Sequence, residues 1–507
     1  MKARVRIDLE RQIGAIDRKI YGQFMCRRPG VSEGGLYAPD SPTADEHGLR
    51  RDVVAAISDL RPSIIRWPGG CTGTSYHWMD GVGPLSERPK KIDLHFGWAA
   101  RYEFGTDEFI AFCRRIGAEP HLNLAMGTGT LEEAAAWLEY CNGTLDTYYA
   151  NLRRRYGHEE PFGVKYWQLG NEMFGPWEIG YCAAGEYAAE AREWAKVLRR
   201  VDPSIALIAV GGGDMIASEW APEVVPEVGP YVDYISFHTY WREGGSADPW
   251  YSVMAGPHVA EETMDVLSSA IRLARRKDWR CRDLAIAVTE WNASPDDGMM
   301  THHPEYHPFG PTFHLRDALA VASFINIMQR HCREVRLANV AQTINVVGLI
   351  MVTAEGVWRE PVYWPLWMQV RHSGPVALDV WVDCDGFDEP SVAAREGSAA
   401  AKQRRPLSGL AYLDCSATLD AARRKLYLSL VNRHHDDAID LHVHVIEAQV
   451  APQGSVYVLY HEDPMAMNTA ANPHNVRPRS ESVGGLGSDF VWELKPHSYT
   501  ILELDLR

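Results

Sequence analysis

Val164-Lys-Tyr-Trp-Gln-Leu-Gly-Asn-Glu172 is a β-rich apolar run that stops on Gly-Asn-Glu, and a helical periodicity from Ala183 to Val201 follows it. The next β-rich run, Ile205 to Val210, ends in Gly-Gly-Gly-Asp. Strand, polar turn, amphipathic helix and strand in that order make a βα unit. Upstream the same texture gives strands at Ile20 to Phe24, Ser63 to Trp67 and His121 to Ala125, and downstream at Val232 to Phe237, Leu284 to Val288 and Val340 to Val347. Helical periodicities lie between them, at Glu46 to Leu60, Thr106 to Ile116, Leu131 to Tyr140, Glu261 to Arg276 and Leu315 to His331. The count of about eight predicts an α/β fold, a (β/α)8 TIM barrel, whose site sits where the strands end. The rival is a doubly wound open sheet. Its nucleotide-binding form needs a glycine fingerprint, and Gly127-Thr-Gly129 lacks the third glycine.

Past Val370 the period changes to two, as in Lys425-Leu-Tyr-Leu-Ser-Leu-Val-Asn432 and Ile439-Asp-Leu-His-Val-His-Val-Ile446. We therefore expect a C-terminal all-β sandwich, jelly-roll-like, over residues 375–507, after a catalytic barrel over 19–374. Ala3 to Leu9 alternates in the same way, so residues 1–18 are expected to pair with that sandwich. Cys384 to Pro406 is polar and reads as an irregular connection.

The chain has 507 residues, 46% hydrophobic and 23% charged, enough to bury a large core and far from the composition of disorder. A net charge of −16 opposes phosphate backbones and anionic lipid, so no nucleic acid and no membrane is expected as a partner. Nine cysteines without a CxxC read as reduced thiols, and Met-Lys-Ala-Arg-Val-Arg puts charge where an export signal needs its apolar run. A cytoplasmic location is the expectation. Leu337 to Ala354 is interrupted by Asn339, Gln342 and Asn345, which reads as a buried strand with its loop.

Two carboxylates follow apolar β runs where barrel strands should end: Glu172, and Glu290 in Leu284-Ala-Ile-Ala-Val-Thr-Glu290-Trp-Asn292. They close strands four and seven, at a spacing of about 39 residues per βα unit, compatible with one barrel. Glycoside hydrolysis needs such a pair, one acid to protonate the leaving oxygen and one carboxylate for the anomeric carbon. The separation decides the outcome: about 5–5.5 Å gives retention and about 6.5–9.5 Å inversion.

Gly170-Asn-Glu-Met-Phe-Gly-Pro-Trp-Glu-Ile-Gly180, Ile65-Arg-Trp-Pro-Gly-Gly70 with Tyr76-His-Trp-Met-Asp-Gly-Val-Gly-Pro84, and Tyr234-Ile-Ser-Phe-His-Thr-Tyr240 resemble glycoside hydrolase family 51. That family is chiefly retaining α-L-arabinofuranosidases of the clan A barrel type with an attached β-sandwich. The resemblance implies Glu172 as general acid/base and Glu290 as nucleophile. It further implies Arg66 as support for Glu290, Asn171 as partner of the sugar 2-hydroxyl, His238 and Tyr240 near the nucleophile and the sugar, and Gln342 of the last strand on the sugar. It implies an oligosaccharide or glycoside substrate, no cofactor, no metal, and a homo-oligomer, often a hexamer.

The sequence departs from the family where the terminal sugar should sit. Met25-Cys26-Arg27-Arg28 replaces a Glu-containing stretch, with Cys26 about where the Glu stands, and Cys71 replaces an Asn. Ala293-Ser294 stands where a second Trp often follows, and Phe174 replaces an Asp. Thiols in place of a carboxylate and an amide forfeit about 0.5–1.5 kcal/mol per neutral contact. The reading is thus a retaining exo-acting furanosidase, with a different sugar specificity or a catalytically weakened carbohydrate-binding homologue as alternatives. A metal-dependent barrel hydrolase is a further rival. Cys26 and Cys71 could also pair as a disulfide, or bind a metal with His302, His303 or His307. The His-rich stretch reads as a loop after strand seven, and Trp67, Trp78, Trp167, Trp177 and Trp291 suit sugar stacking, although most tryptophans are simply core.

Overall fold

The computed structural model describes residues 1–241, 243, 248–294, 313–354, 356–389 and 406–507, with Met215 by its backbone alone. The chain opens with a long strand, β1 (Lys2–Ala15), and then enters a closed parallel barrel. The barrel strands are β2 (Gly22–Phe24), β3 (Ile64–Trp67), β4 (Glu119–Leu124), β5 (Tyr166–Leu169), β6 (Ala206–Gly213), β7 (Tyr234–Trp241), β8 (Ala285–Ala293) and β9 (Val335–Ala341), each beside the next and β9 against β2. The helices around it are α1 (Arg51–Asp59), α2 (Thr106–Ile116), α3 (Leu131–Asn142), α4 (Tyr148–Arg155), α5 (Ala184–Val201), α6 (Ala217–Val228), α7 (Pro249–Lys277), α8 (Leu315–Arg330) and α9 (Tyr363–Arg371). Among the described residues no helix is long and apolar enough to cross a membrane.

Side-chain parity sorts each strand into an inner and an outer row. Ile64, Tyr166, Ala206, Ile208, Ala287 and Leu337 come from five different strands and form one cluster, which only the barrel interior allows. Ile65, Trp67, Trp167, Leu169, Ile235 and Phe237 face outward into the larger core beneath the helices.

Several sequence expectations are corrected. The last strand is Val335–Ala341 rather than Val340 to Val347, because residues after Ala341 leave the sheet, with Asn345 and Val347 at left-handed φ of 57° and 45°. The first helix begins at Arg51, since Asp45 to Gly48 forms a turn with Gly48 at φ 75°. Helices α4, α6 and α9 lie outside the expected set; Pro222 and Pro226 lie inside α6 and Pro365 inside α9, which interrupts the helical signal there. The connection after Cys384 contains a strand, Gly386–Glu389, paired with Leu407–Ala411. Trp67, Trp78, Trp167 and Trp291 are fully buried in the core, which removes them from sugar stacking.

The C-terminal part is a nine-stranded sheet of β1 with β10 (Val376–Cys384), β11 (Leu413–Asp420), β12 (Lys425–Asn432), β13 (Ile439–Ile446), β14 (Val450–Leu459), β15 (Arg479–Gly484), β16 (Asp489–Leu494) and β17 (Ser498–Leu506). Its order is β15-β14-β17-β12-β11-β10-β1-β13-β16. Strand β1 lies inside this sheet, antiparallel to β10 and parallel to β13. Val5 and Ile7 are fully buried with Leu428, Leu430, Leu441 and Val443 in one core.

Replacing Ile7 by Ala is expected to cost about 2–5 kcal/mol in denaturant unfolding, while Lys2→Ala on the exposed row changes stability by about 0.5 kcal/mol or less. Equal effects would show that β1 is not part of the core.

Candidate active site

Strand β3 brings Arg66 inward, two residues above Ile64, and its guanidinium is fully buried. One arm, Nη1, donates to Glu290 Oε1 at 2.6 Å and the other, Nη2, to Asn171 Oδ1 at 2.7 Å. Strand β7 places Ser236, His238 and Tyr240 on its inner row. Tyr240 donates its hydroxyl to Glu290 Oε2 at 2.8 Å, so both oxygens of that carboxylate are held.

The position of Glu290 depends on a bulge. Val288 pairs with Phe237 and Glu290 with His238, leaving Thr289 as an extra residue in β8. Ala287 faces the barrel interior, and without the bulge Thr289 and Trp291 would follow it there. The shift instead sends Trp291 outward against Trp241 and Phe324 and points Glu290 into the site. Thr289 uses its hydroxyl to share a hydrogen bond with His238 Nε2 at 2.9 Å.

Glu172 lies three residues past β5 in the left-handed region, φ 42°, uncommon for a residue with a side chain and typical of strain held at a site. Its Oε2 accepts from Trp177 Nε1 at 2.6 Å, and its Oε1 is 2.9 Å from His238 Nδ1. His238 Nδ1 also lies 3.9 Å from Glu290 Oε2. One oxygen from each carboxylate and a His238 nitrogen are all within 4.8 Å of one another. The indole can only donate, so a proton on Glu172 belongs on Oε1. The His238–Thr289 pair then fits either state: Nδ1 donates to the carboxylate, or accepts from the acid while Nε2 donates to the hydroxyl.

Gly70 shows how closely the backbone approaches: a Cβ there would lie 2.4 Å from Glu290 Oε1. Beside it Cys71 lines a cavity of about 170 Å³ together with Cys26, Arg28, His95, Phe96, Glu172, Trp177, Tyr240, Glu290 and Gln342. Gln342 accepts from the Cys26 backbone N–H at 3.3 Å. Cys26 and Cys71 are both free thiols, which corrects the disulfide expectation; Cys26 Sγ shares a hydrogen bond with Thr72 Oγ1 at 3.0 Å. His302, His303 and His307 lie outside the described residues. Ser294 is buried, its N–H donating to the Trp241 carbonyl, and Phe174 packs edge-on to Trp177 and Trp220.

Sequence reasoning did not single out Glu178, six residues after Glu172. Glu178 is buried and accepts from Asn171 Nδ2 at 3.0 Å. Burial, and then the charge of Glu172, push its pKa up to about 9. Burial and the same acidic neighbours also push the Cys71 thiol well above its usual range. Cys71, His95 and Glu178 bring three donor atoms within 4.8 Å of one another, and a cation bound there would have to displace the thiol and carboxyl protons. The signal that could have found Glu178 is its place in the Asn-Glu-Met-Phe-Gly-Pro-Trp-Glu run, a second acid within one short loop.

Glu178 carries a consequence for stability. The unfolded chain releases this proton near the ordinary value of 4.5, whereas the folded form keeps it to about 9. Between those limits the native state binds the extra proton, so stability falls as pH rises. Glu178→Gln, a permanent neutral mimic, is expected to gain on the parent protein from pH 4.5 to pH 9, by on the order of a few degrees in Tm. A difference that stays flat in thermal melts across that range would show an ionised Glu178 in the folded protein.

Residues 56–252 match the profile described as the α-L-arabinofuranosidase 1 domain, and residues 289–498 that of the α-L-arabinofuranosidase C-terminal domain. Alpha-L-arabinofuranosidase C of Emericella nidulans is 36% identical over 86% of this chain and 86% of its own length. Intracellular exo-alpha-(1->5)-L-arabinofuranosidase 1 of Bacillus subtilis is 31% identical over 99% of both chains. The crystal structure of the Thermotoga maritima α-L-arabinofuranosidase in an arabinose complex superposes with a TM-score of 0.90 at 34% identity, covering 99% of each chain. A family 51 α-L-arabinofuranosidase from Bifidobacterium longum gives 0.88 at 26% identity, again over 99% of each.

Proposed function

The chain belongs to glycoside hydrolase family 51, the α-L-arabinofuranosidases, and from that premise we propose that Glu172 and Glu290 cleave non-reducing-end α-L-arabinofuranosides, or a closely related furanoside, by double displacement. The observation that carries this reading is the approach of the two carboxylates to within 4.8 Å. That spacing goes with the close-set pairs of retaining enzymes; an inverting pair stands about 6.5–9.5 Å apart to admit a water.

In the first half-reaction Glu172 gives its proton to the glycosidic oxygen while Glu290 bonds to the anomeric carbon. Arg66 and Tyr240 each hold one oxygen of Glu290, which fixes the direction from which it attacks. In the second half-reaction Glu172, now a carboxylate, takes a proton from water, which displaces Glu290 from the same face as the departed group. Net retention follows from two inversions. His238 bridges the two acids and, through Thr289, accommodates Glu172 in both states. Asn171, held by Arg66 and Glu178, keeps one N–H for a sugar hydroxyl near the anomeric carbon. Gln342 and Cys71 line the same cavity and complete the sugar contacts.

Replacing Glu290 by Ala is expected to lower turnover of aryl α-L-arabinofuranosides by about 10⁴-fold or more. Glu172→Ala is expected to spare glycosylation from a good leaving group but slow deglycosylation by about 10²–10⁴-fold, with azide restoring turnover as a glycosyl azide of retained configuration. Steady-state and burst kinetics with product NMR measure both, and unchanged rates in either variant contradict the assignment.

The same resemblance supports a finer proposal, a cytoplasmic exo-enzyme assembled as a homo-oligomer of six chains. Sedimentation of the purified protein is expected to give the mass of six chains, and a monomer at micromolar concentration contradicts it.

A further inference from the structure

Arg28 lines the cavity that holds Glu172 and Glu290. Its guanidinium carbon lies 4.7 Å from the ring centre of Phe96 and 5.4 Å from that of Trp98. These two rings stack on each other, 4.8 Å apart and 8° from parallel, in the turn between the short strands Lys91–Ile92 and Ala99–Ala100. The aromatic contact holds the guanidinium in place and satisfies none of its five N–H donors. Among the described residues the Arg28 side chain has no hydrogen bond and no ion pair.

Among the described residues, every nearby group that could neutralise Arg28 is bonded to another partner or uncharged, Asp93 included although its charge also acts on Arg28. Asp93 accepts from Arg27 Nη2 on Oδ2 at 3.1 Å, and on Oδ1 from the backbone N–H groups of His95 and Phe96 at 3.2 and 3.0 Å. Cys26 and Cys71 act on Arg28 electrostatically, but burial pushes Cys26 up to about 11 and Cys71 well above the usual thiol range, so both are neutral thiols. Glu290 is taken by Arg66 and Tyr240, and Glu172 by Trp177 and His238. Glu178 keeps its proton. Arg27, one residue earlier, shows the contrasting arrangement: it too sits over an aromatic ring, Tyr102, but has its carboxylate in Asp93.

Arg28 is half-buried and has no carboxylate in hydrogen-bond contact; such a guanidinium gains when a ligand supplies a directly bonded negative group. We propose that Arg28 binds an anionic group, a carboxylate, sulfate or phosphate, carried by the glycoside cleaved in this pocket. The proposal rests on the glycosidase reading above and narrows its substrate class: a plain pentofuranoside offers Arg28 no charge. The planar fork suits a carboxylate or a phosphate ester in two-point contact.

The test measures kcat/KM of the full-length protein and of R28Q and R28K on four aryl furanosides. These are 4-nitrophenyl α-L-arabinofuranoside, its 5-O-phosphate, its C5 carboxylate, and the neutral furanoside of a carboxylated nitrophenol. The parent protein is expected to favour at least one anionic substrate over the neutral one by about 10–100-fold, mainly through KM. R28Q is expected to abolish that ratio, R28K to keep part of it, and added NaCl to compress it. The first two charged substrates place the anion on the sugar and the third on the leaving group, so the preferred one identifies its source. A ratio at or below one for every anionic substrate, or the same ratio in R28Q, overturns the proposal while turnover of the neutral substrate leaves the glycosidase reading standing. Turnover of none of the four overturns both.

Discussion

One buried guanidinium organises the site. Arg66 carries a full charge into the barrel with no exposure to water, and it is stable there because two oxygens meet it at 2.6 and 2.7 Å, one ionic and one amide. Removing either partner of such a pair typically costs about 3–5 kcal/mol, since the survivor is left uncompensated. The constraint spreads from there. Asn171, held through its carbonyl, turns its amide to Glu178; Glu290, held on one oxygen, accepts Tyr240 on the other. Gly70 must lack a side chain so that the backbone can pass over this cluster.

The site divides into a tightly bonded floor and a less committed wall. On the floor, Arg66, Asn171, Glu172, His238, Thr289, Tyr240 and Glu290 form one hydrogen-bonded network in which both oxygens of each acid are engaged. On the wall stand Cys26, Cys71, Arg28, His95 and Phe96. The wall includes Cys26 and Cys71, the positions at which the sequence reading expects a departure from the family. Networks that fix charge and direction leave little freedom for substitution, because each change strands a buried polar group. A wall of thiols and aromatic rings pays no such penalty and is free to set which sugar fits.

Much of the barrel is legible in the sequence because its strands are apolar runs ended by glycine or polar residues, as at Trp67-Pro-Gly-Gly70 and Leu169-Gly-Asn-Glu172. The last strand was misplaced by five residues because Arg336, half-buried at its start, breaks the apolar run. Prolines hid α6 and α9, although a helix embedded in a core tolerates them when its neighbours supply the packing. The bulge at Thr289 has no compositional mark, neither glycine nor a special turn residue, yet it decides which way Glu290 points. Glu178 was in plain view as a letter, but its proton is a property of burial and of a neighbour's charge, which no linear spacing encodes. Arg28 likewise read as one of two adjacent arginines; only the third dimension shows that Arg27 has Asp93 while Arg28 has two aromatic rings.

The placement of β1 inside the C-terminal sheet makes the barrel, topologically, an insertion into the β domain. Ala3 pairs with Cys384 of β10 and with Leu441 of β13, so β1 waits for partners that are synthesised about 380 and 440 residues after it. At ~5–20 residues per second, that wait is on the order of 20–90 s. During it the stripe of Ala3, Val5 and Ile7 has no sheet to cover it, and the nascent β1 presents an unpaired, alternating edge of the kind that holdase chaperones shelter and that neighbouring nascent chains on a polysome can capture.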